Sequence, residues 1–354
     1  MKKRILLLTA RSDAGGGPRH VYDLVAGLAE KNQVFVAAPL EKPFGEKFQS
    51  LAKGFFEIPK RAFSISRFYS LARFCRQHEI SIVHSHGRGA GIYSRLLGLL
   101  GYRVIHSFHG FHPQPSLKNR VTIWIEKVLA FCTDAFLVVS QDEKERTIAF
   151  AVAKEGKTFL VYNGIQKNPP NAISPAPRGL EKSGKYVFGS LTRFDPQKGN
   201  LILLQHLSDL PASIKGKIEV RIAGDGEERA AIQEFVVRKN LEQMVKLVGV
   251  VSDAAGFLRE CNAFVSSSKG EGCSYACLEA LNEGRPLLIS RVVGHVELQG
   301  VHGVSFFRIG DQKEFEKEIS KLLNTEDKQA IVLPQKFTVE EMVDKIDSLY
   351  ENPN

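Results

Sequence analysis

In residues 269–290, KGEGCSYACLEALNEGRPLLIS, the carboxylates of Glu271 and Glu279 lie close in sequence to Gly270 and Gly272. Gly270 and Gly272 open a periodic apolar stretch that predicts a helix, and a helix start can bind phosphate through its free N–H groups and its dipole. Glu279, about two turns into that helix, is then within reach of a ribose diol. Glu271, before the helix, is suited to the hydroxyls of a sugar. This pattern favours a ligand that carries both hydroxyls and negative charge.

Two cations stand in the loop at residues 190–199, SLTRFDPQKG, which follows a predicted strand. Arg193 and Lys198 lie in this loop, and Pro196 and Gly199 shape its turn. Cations that converge at the carboxyl end of a strand can neutralise a diphosphate. A solvated loop with two ordinary surface charges is the alternative.

A glycine run occupies residues 13–20, DAGGGPRH, between the first predicted strand and an amphipathic helix. Consecutive glycines let a backbone pass close to a ligand, and a structural turn is the alternative. Pro18 takes a spacer position and the third glycine of GxGxxG is absent, so a nicotinamide dinucleotide site is disfavoured.

Five histidines follow two predicted strand ends: His84, His86, His106, His109 and His112. His84 and His86 point to the same side of a strand, which suggests a metal site. Because no acidic residue or cysteine joins them locally, we expect them to have structural or substrate-lining roles instead.

Short apolar runs alternate with amphipathic helical stretches along the chain, which predicts an α/β fold of parallel sheets covered on both faces. Ten runs are predicted as strands: RILLLT, VFVAAP, IVHSH, VIHSFHG and AFLVVS in the first half, and YVFGSLTR, EVRIAGDG, VKLVGVV, AFVSSS and PLLIS in the second. A linker is predicted at residues 166–185, which hold four prolines. We therefore expect an N-terminal Rossmann-like domain over residues 1–165 and a second one over residues 186–337. Two doubly wound sheets joined by one linker would place their ligand-binding strand ends across a cleft.

The composition is that of a globular protein: 354 residues, 43% of them hydrophobic and 25% charged, with a net charge of +9. The apolar run from Ile5 to Leu8 is too short for a signal sequence or a membrane span, so we expect a cytoplasmic protein. Five cysteines without metal-binding spacing are expected to be reduced thiols.

The positive charge is concentrated in the first half of the chain. Residues 1–170 hold 25 Lys and Arg against 13 Asp and Glu, and the rest holds 23 against 26. Residues 64–77 and 116–132 combine basic, aromatic and apolar residues, so we predict peripheral contact with anionic lipid of the inner leaflet, against the alternative that their apolar faces pack on the first sheet. Nucleic-acid binding is disfavoured because the aromatics follow helical spacing.

Taken in order, these segments resemble the GT-B retaining glycosyltransferases of family four, which use nucleotide-diphosphate sugars. The resemblance rests on the ordered series of the GGG loop, VHSHG, VIHSFHGFH, VYNGI, SLTRFDPQKG, RIAGDGEER, VKLVGVV, the paired glutamates and GHVEL. It implies that a last helix, at residues 338–354, packs back on the first domain. The sequence departs from the family at GCSYACLEA, where a Phe-Gly step is usual, and this departure bears on the identity of the donor sugar.

The resemblance also implies roles for single residues. Gly16 and Gly17 match the loop that approaches donor and acceptor, and His109 matches the histidine near the transferring sugar. Arg193 and Lys198 match the diphosphate clamp.

Within residues 269–290, Glu271 matches the carboxylate near the donor sugar and Glu279 matches the ribose ligand. Gly272 and the backbone amides of Cys273, Ser274 and Tyr275 would hold phosphate.

The function predicted is transfer of a hexose-type sugar from a nucleotide-diphosphate donor to a hydroxyl acceptor, a lipid-linked or surface-glycan intermediate, with retention implied by the resemblance. We expect no cofactor and no metal, because cations and a helix start can stabilise the departing diphosphate and no DxD-type pair is present. The alternatives are a sugar-nucleotide epimerase or phosphorylase of the same fold, or a non-catalytic nucleotide- or nucleic-acid-binding protein that uses the basic half.

Overall fold

The computed structural model describes residues 2–111, 117–169, 184–325 and 329–351, with side chains omitted for residues 117–119. The chain divides into two compact units, one formed by residues 1–166 and 336–354 and the other by residues 167–335. The predicted linker straddles this division, but residues 170–183 of it lie outside the described part of the chain.

The first unit is built on a seven-stranded parallel sheet of order β3-β2-β1-β4-β5-β6-β7. Its strands are β1 Arg4–Thr9, β2 Gln33–Ala38, β3 Gly54–Glu57, β4 Ile82–His86, β5 Arg103–Ser107, β6 Ala135–Val138 and β7 Thr158–Leu160. Its helices are α1 Gly16–Leu28, α2 Gly45–Leu51, α3 Ile65–Gln77, α4 Arg88–Gly98, α5 Leu117–Leu129, α6 Gln141–Ala149 and, from the end of the chain, α13 Val339–Glu351.

Both faces of this sheet are buried, because successive residues of β1 point to opposite faces and pack into two different hydrophobic clusters. Ile5 and Leu7 pack with α1, α2 and α13 on one face. Leu6 and Leu8 pack with α3 and α4 on the other. The run RILLLT is therefore continuous rather than alternating in hydrophobicity, as buried parallel strands require.

Helix α13 completes the first unit although it comes from the far end of the sequence. Its apolar positions Met342, Val343, Ile346 and Tyr350 belong to the same buried cluster as α1. Close packing depends on Gly27 of α1, where an added Cβ would lie 2.5 Å from Cγ2 of Val343.

The second unit is a six-stranded parallel sheet of order β10-β9-β8-β11-β12-β13. Its strands are β8 Tyr186–Leu191, β9 Ile218–Ala223, β10 Val245–Gly249, β11 Ala263–Ser266, β12 Leu287–Ser290 and β13 Val304–Phe307. Its helices are α7 Asn200–Ser208, α8 Ala212–Lys215, α9 Arg229–Arg238, α10 Ala254–Arg259, α11 Tyr275–Asn282 and α12 Gln312–Asn324.

The predicted fold class is confirmed, since each unit is a doubly wound parallel sheet. Two helix starts differ from the expected positions. Helix α1 begins at Gly16, so Gly16 and Gly17 form its first turn rather than a preceding loop. Helix α11 begins at Tyr275 with Ser274 as its N-cap, which leaves Gly270 and Gly272 in the loop before it.

Candidate functional site

In the second unit, an ion pair joins the two loops that the sequence singles out. Nζ of Lys198 lies 2.6 Å from Oε1 of Glu271, and the side chains are only 23% and 13% exposed. Ser268 donates to the same carboxylate oxygen over 2.7 Å. The two residues follow β8 and β11, adjacent strands of the sheet, so the topology brings them together at its carboxyl edge.

The backbone of these loops is locked by further contacts. Nε2 of Gln197 donates to the carbonyl of Gly270 over 2.8 Å, and Ser267 donates through Oγ to the carbonyl of Gly199 over 2.8 Å. Gly199 has φ of 63°, and an added Cβ would lie 2.4 Å from the Ser267 carbonyl oxygen. Only glycine satisfies both the left-handed backbone and the close approach at this position.

The electrostatic balance of the pair keeps Glu271 charged. Burial raises the pKa of its carboxyl, but the adjacent Lys198 ammonium and the hydrogen bond from Ser268 outweigh burial and leave the pKa below its usual value. His295, which lies in the GHVEL segment and is fully buried, also interacts with Glu271. Burial lowers the pKa of His295, so this imidazole is neutral at pH 7.

Arg193 is held differently from Lys198. Its side chain is 57% exposed and lies 2.6 Å from the carboxylate of Asp195. Asp195 in turn accepts from the backbone N–H groups of Gln197 and Lys198. Arg193 is therefore a solvent-facing cation on an ordered turn.

The start of α11 follows directly after this pair. Cys273 is buried, and Ser274 and Tyr275 are half-buried at the first turn of the helix. Glu279 is half-buried in the middle of the helix. Beneath them, burial raises the pKa of the Cys277 thiol to about 12, so this cysteine is an inert part of the core.

In the first unit, three imidazoles meet at the carboxyl edge of the sheet, and we call His20, His86 and His109 the histidine cluster. A ring nitrogen of each lies within 4.8 Å of one nitrogen of both others. Nδ1 of His86 lies 3.0 Å from Nε2 of His109, and Nδ1 of His20 lies 3.0 Å from Oδ1 of Asn163.

The histidines predicted from the sequence separate onto the two faces of the sheet. His84 pairs in register with Ile105, whereas His106 is the partner of Ser85. His84 contacts Tyr350 and Ser107 on the side of the cluster, and His106 contacts Ser85 on the opposite side. His112 lies outside the described residues.

His109 has a left-handed backbone, with φ of 56°, a conformation that is strained for a residue with a Cβ. The carboxylate of Glu143 in α6 holds the loop in this shape. Its Oε1 accepts from the N–H groups of Gly110 and Phe111, both at 2.6 Å. Its Oε2 accepts from Val139 at 2.8 Å.

Burial lowers the pKa of every imidazole in the histidine cluster. The pKa of His20 falls to about 4, and those of His86 and His109 fall well below the usual value. At pH 7 His109 is therefore a neutral hydrogen-bonding group and not a cation.

The sequence did not single out His20, Asn163 or Glu143 as site residues. His20 closes the glycine segment and Asn163 lies in VYNGI, so both stood in segments already noted. Glu143 follows Ser140 by three residues, a spacing typical of a capping box. Ser140 does accept from the Glu143 N–H, but the Glu143 carboxylate reaches the His109 loop instead of the helix end alone.

Comparison with known families assigns the two units. Residues 14–168 match the model described as Glycosyltransferase Family 4, and residues 185–325 match the model described as Glycosyl transferases group 1. The chain belongs to the glycosyltransferases of family 4 and group 1. These two matches confirm the glycosyltransferase family that the ordered motifs predict.

Curated relatives agree with this family. An Escherichia coli UDP-Gal:alpha-D-GlcNAc-diphosphoundecaprenol alpha-1,3-galactosyltransferase is 25% identical over 79% of this chain and 78% of that protein. The Escherichia coli O-antigen biosynthesis glycosyltransferase WbnH is 24% identical over 96% of both chains.

Solved structures show the same GT-B fold. Anabaena HepE in complex with UDP and glucose is 19% identical, with a TM-score of 0.82 over 99% of both chains. The apo form of the lipopolysaccharide outer core galactosyltransferase WaaB is 19% identical, with a TM-score of 0.76 over 98% of this chain and 99% of that one.

Proposed function

We propose that this glycosyltransferase moves a hexose from a nucleoside-diphosphate sugar to a hydroxyl of a lipid-linked or surface-glycan acceptor, with retention of the anomeric configuration. The observation that carries the donor assignment is the Lys198–Glu271 ion pair beside the start of α11. It sets a cation, a carboxylate and a helix start side by side, which fits a ligand with phosphates and sugar hydroxyls.

In this proposal the nucleoside diphosphate leaves as the bond to the anomeric carbon breaks. Lys198, Arg193 and the backbone N–H groups of Cys273, Ser274 and Tyr275 stabilise the charge that develops on its phosphate oxygens. This electrostatic stabilisation takes the place of a divalent metal, so the proposed reaction needs no cofactor.

The remaining site residues bind hydroxyls. Glu279 accepts from the ribose diol, and Glu271 accepts from hydroxyls of the donor sugar while Lys198 turns to the phosphate. His109, neutral at pH 7, exchanges hydrogen bonds with the transferring sugar, and Gly16 and Gly17 allow the first turn of α1 to approach it. An added Cβ at Gly17 would meet no atom within 4 Å, so the space beside it is open.

The acceptor class rests on the relatives. One curated relative acts, by its name, on a diphosphoundecaprenol-linked sugar, and another takes part in O-antigen biosynthesis. A lipid-linked glycan is therefore the acceptor class we propose for this chain.

The test is a transfer reaction with a lipid-linked acceptor pool and a panel of UDP-, GDP- and ADP-hexoses in the presence of a chelator. We expect turnover with one donor, a product whose anomeric proton keeps the donor configuration by NMR, and no loss of rate on chelation. An inverted product contradicts retention, and loss of rate that magnesium restores contradicts the metal-free mechanism.

A membrane contact is part of the proposal and is carried by α5, whose exposed face is apolar. Its exposed apolar residues recur at helical spacing and continue into the following turn: Val121, Trp124, Ile125, Val128 and Phe131. The other side of the helix faces the core, where Ile123 packs against the buried cluster of Phe108 and Phe136 and Glu126 pairs with buried Arg95 at 2.8 Å. The exposed stripe is therefore an apolar face beyond the one that a surface helix normally buries.

Basic residues accompany this apolar stripe. Arg120 and Lys127 are exposed on the same helix, and α3, which covers the same face of the sheet as α4, exposes Arg67, Arg73 and Arg76. Apolar side chains beside cations suit the headgroup region of an anionic bilayer. None of the helices in the described residues is long and apolar enough to cross a membrane, so the contact we propose is peripheral.

Sedimentation with phosphatidylglycerol vesicles at low salt tests the contact. We expect Val128→Glu to weaken binding about ten-fold, because it loses roughly 1 kcal/mol of apolar burial and adds repulsion. Val237→Glu, at an exposed valine on α9 in the second unit, is the matched control and should bind as the wild type does. Absence of wild-type binding, or equal loss in both variants, contradicts the proposal.

A further inference from the structure

The histidine cluster has the makings of a metal site. Its members come from three elements, with His20 on α1, His86 at the end of β4 and His109 in the loop after β5. One ring nitrogen from each histidine can be chosen so that all three nitrogens lie within 4.8 Å of one another. Imidazole is a ligand suited to zinc, copper and nickel.

His20 presents a nitrogen with a free lone pair. Its Nδ1 faces the side-chain oxygen Oδ1 of Asn163 at 3.0 Å, and since this oxygen only accepts, Nδ1 carries the proton. Nε2 is then the unprotonated nitrogen. It is buried and has no hydrogen-bond partner among the described residues.

His86 and His109 supply the other two nitrogens. Nδ1 of His86 and Nε2 of His109 lie 3.0 Å apart, so one carries the proton and the other accepts it. Two nitrogens bound to one tetrahedral zinc ion at 2.0–2.1 Å are about 3.4 Å apart. An ion bound between them gains both nitrogens as ligands once the donating imidazole moves its proton to its other ring nitrogen, and both rings stay neutral.

We propose that the histidine cluster binds one divalent transition-metal ion through Nε2 of His20, Nδ1 of His86 and Nε2 of His109. The all-imidazole donor set selects Zn²⁺, Co²⁺, Ni²⁺ or Cu²⁺ over Mg²⁺ and Ca²⁺, which prefer oxygen ligands. Asn163 acts from outside the ligand shell by fixing the tautomer and ring orientation of His20.

Burial favours this chemistry because it keeps the ligands neutral. The pKa values of His20, His86 and His109 all lie below the ordinary value, so protons do not compete for the lone pairs at pH 7. The ion is distinct from a cofactor, since the proposed transfer takes no metal. An ion held here would occupy His109, the residue proposed to contact the transferring sugar.

The test is a titration of untagged, chelator-stripped full-length protein with Co²⁺, followed by its visible d–d absorption and by displacement with Zn²⁺. The wild type should take up one equivalent with tetrahedral absorption, and Zn²⁺ should displace it. His20→Gln and His86→Gln should each weaken binding at least about ten-fold, and Asn163→Ala by about ten- to a hundred-fold.

The matched control is His78→Gln, at a half-buried histidine whose ring packs against Phe35 and Phe74 away from the cluster. It should bind Co²⁺ as the wild type does. A wild type that takes up no stoichiometric ion overturns the proposal, and so does uptake that survives both cluster variants. The melting temperature of each ion-free variant shows whether it is folded. Because the Co²⁺ titration contains neither donor nor acceptor, its result does not depend on whether the proposed sugar transfer occurs.

Discussion

At the scale of single residues, Lys198 and Glu271 neutralise one another until a ligand separates them. The ammonium–carboxylate distance of 2.6 Å means that Lys198 is already oriented but not available. In the proposed donor complex a diphosphate replaces Glu271 as the partner of Lys198, and the released carboxylate accepts sugar hydroxyls. The proposal therefore couples phosphate binding to sugar binding.

This coupling predicts the effect of removing the lysine. Lys198→Ala should weaken binding of the free nucleoside diphosphate about ten- to a hundred-fold, because a hydrogen bond to a charged group contributes about 1.5–3 kcal/mol. It also leaves Glu271 without its cation near the phosphates, which adds repulsion. Calorimetric titration measures the change.

The residues that the sequence identified and those it missed differ in one respect. Lys198, Glu271 and Glu279 could be predicted as ligand-binding residues from the residue types and spacing of their own local segments. His20, Glu143 and Asn163 gain theirs from partners more than thirty positions away, as in the separation of 143 between His20 and Asn163 and of 33 between Glu143 and Gly110. No local pattern contains those pairings.

At the scale of elements, α6 holds the loop of His109. Glu143 projects from its first turn and satisfies three backbone N–H groups, two of them in the strained loop. A fully buried carboxylate with three donors is a rigid anchor, so the loop geometry depends on a helix that carries no predicted site residue.

Glu143→Gln should loosen this loop. The amide keeps one oxygen, but its NH₂ group faces backbone N–H groups, so at least one buried donor loses its acceptor at a cost of about 1–3 kcal/mol. Amide hydrogen exchange of Gly110 and Phe111 should accelerate. Glu145→Gln, on the same helix but exposed, is the control, and equal exchange in both variants would contradict the anchoring role.

Sequence periodicity predicted ten of the strands but not β3, β7 or β13. These three are short, and β3 and β13 are only half-buried over much of their length. β3, β7 and β13 also lie at sheet edges, where one side of the strand has no neighbour. The edge strand β10 was predicted, so the weak apolar signal of these three strands reflects their short length and partial exposure as well as their edge position. The starts of α1 and α11 differ from the predicted ones, because glycine is compatible with both a loop and the first turn of a helix.

At the scale of the whole molecule, the first unit buries many histidines in neutral form. Burial lowers the pKa of His20 to about 4 and holds those of His84, His86, His106 and His109 well below the usual value. The unfolded chain binds protons below pH 6.5 while the folded chain does not, so stability must fall as the pH drops.

We expect a marked loss of stability between pH 7 and pH 5. His20 alone contributes a loss of about 2 kcal/mol over this range. Asp23, whose pKa burial raises to about 6, opposes it because the folded state takes up its proton first. Denaturant unfolding at both pH values measures the net effect, and His20→Gln should lose less stability than the wild type. A variant with an unchanged pH dependence would contradict this account.

The doubly wound fold of each unit could be predicted from the sequence, because strand-like apolar runs alternate with amphipathic helices along the chain. That the last helix packs on the first domain was predicted only from the family resemblance, because no pattern in residues 338–354 indicates which surface the helix contacts. It depends on tertiary complementarity, seen in the contact between Gly27 and Val343.

The most direct test of the donor site is calorimetric titration of UDP, GDP and ADP into the wild type, Lys198→Ala and Lys246→Ala. Lys246 lies exposed on β10 and donates only to a backbone carbonyl among the contacts of the described residues, so it is the matched control. We predict that one nucleotide binds the wild type and the control equally and binds Lys198→Ala about ten- to a hundred-fold more weakly. Binding of none of the three, or equal binding to all three proteins, would contradict the account.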